Sequence, residues 1–127
     1  MSIPHPIILA LLLLPALPAR ADWPEYRGPW ANGHVAAPGD PKPIGLPLTW
    51  SEQEHIKWKT PIHGRAWSSP VIWSNQIWMT TATTNGRQLF AVCVDRESGS
   101  VVRNLKLFDI EAPQYAHPFN SYASPTP

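Results

Sequence analysis

The sequence predicts an all-β protein organised on one four-stranded antiparallel meander, and three observations carry that expectation. From Trp67 onward stand four short apolar runs: residues 71–73, 76–81, 89–94, and Val101-Val102 through Leu105, Leu107 and Phe108. Each run is cut from the next by turn residues: Ser74-Asn75, then Thr84-Asn85-Gly86, then residues 95–99. The runs are rich in aromatic and β-branched side chains, which suit a pleated, half-buried surface, and Asn-Gly supplies the positive φ angles of a tight hairpin. Third, sixteen prolines and seven tryptophans with only 15% charged residues suit a turn-rich extracytoplasmic β chain better than a helical one.

Residues 1–21 read as a secretory leader. Ile7 opens an unbroken apolar run to Leu14, Pro15 and Pro18 end it, and Ala19-Arg20-Ala21 places small residues at both recognition positions, with cleavage before Asp22. The run is shorter than the roughly 20 residues that span a bilayer, which favours a leader over an uncleaved anchor. The mature chain is therefore expected to be periplasmic or secreted, with no stable membrane anchor. Ten Lys and Arg, less Arg20, leave nine against nine Asp and Glu. A balanced surface gives no electrostatic footprint for nucleic acid.

Residues 22–54 form a Pro-rich arm. Pro24, Pro29, Pro38, Pro41, Pro43 and Pro47 remove backbone donors, so neither a helix nor a central strand runs through it. Trp23, Tyr26 and Trp30 are a large apolar area to leave in water, so the arm is expected to be ordered, extended and packed on a neighbouring surface. An aromatic carbohydrate platform is the alternative use of those rings.

The repeat-bearing β part of the chain is expected over residues 55–127. Residues 55–61 alternate, with His55, Lys57 and Lys59 on one side and Ile56, Trp58 and Thr60 on the other, the pattern of an outer or edge strand. The lysine pair reads as a solvated face, with a phosphate or acidic-ligand site as the alternative. Gly64 permits a sharp bend into the meander, and Pro70 belongs near a strand start. After Phe108 the periodicity ends in a loop. Tyr122-Ala123-Ser124-Pro125-Thr126 then repeats Trp67-Ser68-Ser69-Pro70-Val71, where a second four-strand unit would begin.

These residues resemble the PQQ-like (pyrroloquinoline quinone repeat) β-propeller family. The resemblance rests on the Trp-Ser-Ser-Pro-Val opening of an inner strand and on the run from Leu89 to Val102, similar to Leu-x-Ala-x-Asp, two residues, Thr/Ser-Gly, then β-branched residues. A third element is the lead-in Trp23-Pro24-Glu25-Tyr26-Arg27-Gly28-Pro29. It implies an all-β fold, the four-stranded antiparallel blade of an incomplete PQQ-like β-propeller: one outer strand, one full blade and the start of the next. The structural repeat residues are then Trp67, Ser69, Pro70, Asp95 and Gly99. In the family's strict form an Ala before the Asp lets a Trp after the Gly dock between blades; here Cys93 and Arg103 hold those positions.

No catalytic, cofactor-binding or metal-binding residue carries over. The quinone enzymes use a Ca²⁺ site, a catalytic Asp and often a Cys-Cys pair; Asp95 belongs to a turn, Cys93 has no neighbouring Cys, and the five histidines sit at no metal-ligand spacing. Cys93, as the single cysteine in an apolar run, reads as a buried inert thiol. Ser68 and Ser69 lack the Gly-x-Ser-x-Gly turn of a nucleophile. A ring needs typically 4–8 blades, so the chain is expected to be a non-catalytic N-terminal fragment of a longer secreted protein. Its partners would be the remaining blades and other proteins bound by a scaffold. The alternative is a PQQ-dependent alcohol or sugar dehydrogenase, with quinone and calcium held by other blades.

Overall fold

A computed structural model describes residues 22–41 and 45–127. The leader expected over residues 1–21 lies outside the described residues. Four strands form one sheet in sequence order: β1 (Val71–Trp73), β2 (Gln76–Ala82), β3 (Gln88–Asp95) and β4 (Val101–Asp109). Every neighbouring pair is antiparallel, and the sheet is open, not closed into a barrel. Among the described residues no helix is long and apolar enough to cross a membrane.

The turns follow from their residues, with one correction. β1 and β2 join through Ser74-Asn75, closed by the Trp73–Gln76 pair, and Ser74 takes a φ of 54°. That left-handed angle matches the twist a two-residue hairpin needs. Asn85-Gly86 does not make such a hairpin. Gly86 takes φ 70° while Asn85 stays out of the left-handed region, and residues 83–87 form a wider loop. Thr83 N–H donates to Gln88 O at 2.9 Å and Gly86 N–H to Thr83 O at 2.8 Å. Asn85 serves through its side chain, its Oδ1 accepting from Thr83 Oγ1 at 2.8 Å and Arg87 N at 3.1 Å.

The β2–β3 register sorts the side chains onto two faces, because successive residues of a strand alternate. Ile77, Met79, Thr81, Phe90, Val92 and Val94 share one face; Trp78, Thr80, Ala82, Leu89, Ala91 and Cys93 share the other. The buried residues cluster at the middle of this pair: Thr81, Ala82, Val92, Cys93 and Val94, joined by Ala123. β4 is exposed along all nine residues, including Val101, Val102, Leu105, Leu107 and Phe108.

Short β1 leaves the far half of β2 without a strand neighbour, and residues 65–68 complete that edge. Arg65 N–H donates to Ala82 O at 2.8 Å, and Ala82 N–H returns a bond to Arg65 O at 3.1 Å. Ser68 Oγ accepts from Thr80 N at 3.1 Å and lies 3.3 Å from Thr80 O, so a hydroxyl stands in for a backbone rung. Gly64 makes the approach: its φ is 74°, and a Cβ there would lie 2.4 Å from Ala82 O. On the other edge of β1, Trp23 exchanges two bonds with Ile72, 2.9 and 2.8 Å. The arm thus caps that edge, then winds through turns between Glu25 and Gly33 instead of staying extended.

The strand expected over residues 55–61 is not formed; no ladder includes them. Alternating lysines and apolar residues require only an extended chain with one wet side, and Pro61 offers no donor for a ladder. The segment instead lies on the β3–β4 turn, held through side chains.

Candidate functional site

The β3–β4 turn is the best-built feature of the molecule. Asp95 N–H donates to Ser100 O and Gly99 N–H to Asp95 O, both at 2.8 Å, and Gly99 closes the loop at φ 73°. Asp95 Oδ1 accepts from Glu97 N at 3.0 Å, Ser98 N at 2.8 Å and Ser98 Oγ at 2.9 Å, while Oδ2 accepts from the Asn75 amide. These bonds, the Ser98 N–H first, hold the Asp95 carboxyl below the usual carboxylate range. Arg96 N–H donates to Asn75 O at 3.0 Å, tying the turn to the β1–β2 hairpin. Asp95 and Gly99 therefore occupy one structural turn, and the carboxylate bonds both that turn and Asn75 of the β1–β2 hairpin.

An aromatic ring from outside the sheet lies on this turn. A Cβ on Gly99 would meet the Trp58 ring at 2.5 Å, and Trp58 Nε1 donates to Arg96 O at 3.0 Å. Thr60 Oγ1 donates to Gly99 O, and Lys57 pairs with Glu97. Further along, His63 packs edge-on against Phe90 with centroids 4.7 Å apart, meets Asn104 Oδ1 at 3.0 Å, and offers its carbonyl to Thr81 Oγ1 at 2.6 Å. Residues 58–63 thus lie across the Phe90 face.

The following segment repeats the device on the other face. A Cβ on Gly86 would meet the Tyr122 ring at 2.6 Å. Thr80 Oγ1 donates to Pro125 O at 3.0 Å, and Trp67 N–H donates to Ala123 O at 3.1 Å. The two Trp/Tyr-x-Ser-Pro segments therefore run side by side. Thr80, Leu89, Phe108, Tyr122 and Pro125 line a cleft of about 140 Å³ that is left partly open.

Of the sequence-predicted repeat residues, Asp95 and Gly99 are brought together, while Trp67, Ser69 and Pro70 lie in the segment leading into β1. Trp67 is 57% exposed. The serine that bonds the sheet is Ser68, not Ser69, and with both contacts on the Thr80 backbone it is a structural group. Cys93 is fully buried, and burial pushes its thiol up, away from the reactive thiolate. Lys57 and Lys59 pair with Glu97 and Glu52. Trp23 and Trp30 line an open cleft of about 420 Å³ with Pro24, Pro29, Val35 and Ile72, whereas Tyr26 is not part of that lining and is 64% exposed.

Among the described residues no three His, Cys, Asp or Glu side chains group closely enough to hold a metal ion. A Ca²⁺ ion wants six to eight oxygen ligands, and the Asp95 oxygens already accept four bonds within the protein. The described carboxylates therefore do not gather into a calcium site. Comparison with protein-family models, with curated proteins and with solved structures gave no match.

Proposed function

We propose that the chain forms a blade of a secreted or periplasmic PQQ-like β-propeller that acts as a protein-binding scaffold and not as a catalyst. The observation that carries this reading is the bracketing of one sheet by aromatic plugs on two turns: Trp58 from the preceding segment on Gly99, Tyr122 from the following segment on Gly86. The family resemblance implies tryptophans that dock between blades. Arg103 stands where the blade's own docking tryptophan is expected, yet Trp58 reaches the Gly99 turn from the element ahead of it.

Two further observations support the reading. β4 and the cleft beside Phe108 leave apolar side chains open, as a unit made to pack between neighbours would. The polar groups of the turn are occupied by structural bonds, which suits scaffold work better than chemistry. The remaining blades and other proteins are the proposed partners.

Titration with pyrroloquinoline quinone and Ca²⁺, followed by tryptophan fluorescence, tests the choice between scaffold and enzyme. The scaffold reading expects no saturable quenching. Stoichiometric, Ca²⁺-dependent quenching with dye-linked oxidation of an alcohol or sugar would overturn it.

A further inference from the structure

We infer that the pocket between the β2–β3 loop and residues 116–122 binds a small oxyanion, a phosphate or sulfate group. The pocket holds about 100 Å³, and Arg65, Thr84, His117 and Asn120 are among the residues that line it. No acidic side chain lines it. Small pockets with a cation and several convergent donors, and no competing carboxylate, suit an anion.

Each group has donors left over once its structural bonds are counted. Arg65 makes no ion pair among the described residues; its guanidinium gives one bond, from Nη2 to Pro118 O at 3.3 Å, and the rest of the fork remains available. His117 Nδ1 accepts from Phe119 N at 3.2 Å, so the neutral ring carries its proton on Nε2 as a donor. The ring is also fixed by stacking on Phe119, centroids 5.3 Å apart. Asn120 Oδ1 accepts from Ser121 N at 2.8 Å and Ser124 Oγ at 2.6 Å, which leaves its NH₂ as the free end. The Thr84 hydroxyl makes no hydrogen bond to a described residue. Arg65 is held in turn by its two backbone bonds to Ala82. Asp109 and Glu111 line a separate cleft that shares Thr83 with this pocket, and Asp109 is engaged by Lys106 and Gln88.

A guanidinium fork with neutral donors around it recognises the planar or tetrahedral oxygens of an oxyanion better than a halide, which accepts without direction. This inference is independent of the scaffold reading, because the pocket belongs to one chain. It also differs from the lysine pair that the sequence offers for phosphate, since Lys57 and Lys59 are already compensated by glutamates.

The test is an amide NMR titration of the full chain with inorganic phosphate, sulfate and glycerol phosphate at constant ionic strength, with chloride as control. Saturable shifts are expected at Thr84, Asn120 and Ser121 for the oxyanions but not for chloride. Arg65→Gln should weaken binding at least about tenfold, and His117→Ala by a smaller factor, while Arg103→Gln on exposed β4 should leave it unchanged. Tighter binding of glycerol phosphate than of phosphate would show that the group is carried on a larger ligand; equal binding would identify the free ion. Shifts that do not saturate, or that survive Arg65→Gln undiminished with the spectrum otherwise intact, would overturn the assignment.

Discussion

Gly99→Ala probes the docking of Trp58 most sharply. A Cβ at position 99 would stand 2.5 Å from the indole, far inside contact distance, and the backbone there is at φ 73°. An L-residue in the left-handed region costs about 1–2 kcal/mol. Expelling the ring also forfeits the Trp58–Arg96 hydrogen bond, about 1 kcal/mol net. Together these come to about 2–3 kcal/mol, or roughly 30- to 150-fold in the equilibrium for opening the turn. Hydrogen exchange of the amide at position 99 and of the Trp58 indole N–H reads that opening locally, with no need for a two-state global transition. In a Trp58→Ala background the same glycine substitution should cost only the φ contribution, so the two changes should fall short of additivity by about 1 kcal/mol. Strict additivity, or an indole N–H as protected in Gly99→Ala as in the parent, would refute the reasoning.

Other outcomes follow from the same contacts. Asp95 has its carboxyl pKa lowered by the turn, so its contribution is present above the unfolded value of about 3.9 and is lost as pH falls through the lower native value. A carboxyl NMR titration should place Asp95 below an ordinary aspartate; a midpoint at or above that range would contradict the assigned bonds. Cys93 should resist an aromatic disulfide reagent in native buffer and react fully in denaturant, and fast native labelling would show the β2–β3 core to be open. Gly64→Ala should break the Arg65–Ala82 bridge, seen as faster exchange of the Ala82 amide; unchanged exchange would mean that the bend tolerates a side chain. Recovered from outside a bacterial cytoplasm, the protein should begin at Asp22, and an intact Met1 there would remove the leader reading.

Much of the sheet was legible because its signals are local. Each strand is an apolar or β-branched run ended by its own turn, and all four lie where those runs stand. The Asp95–Gly99 turn was legible for the same reason, since an acceptor and a positive-φ residue sit four apart in one loop. Non-local choices were not. Lysine alternation over residues 55–61 reports an extended chain with a wet side but not whether a ladder partner exists, so the expected strand is a side-chain-held strap. Nothing near Gly99 in sequence marks Trp58, 41 residues earlier, as the ring that fills the space of its missing Cβ. Ser68 and Ser69 were indistinguishable until β2 placed Thr80 beside one of them. The donor-lined pocket was not legible because Arg65, Thr84 and His117 are distant in sequence and match no motif spacing.

The central claim is that this sheet is one unit built to pack between neighbours. Hydrophobic-dye binding and thermal unfolding of residues 22–127 test it most directly. With Trp73 63% and Phe108 60% exposed and β4 open along its length, the chain should bind dye and unfold over a broad range with low cooperativity. A sharp two-state transition in a monomer that binds no dye would show a self-sufficient domain and contradict the account.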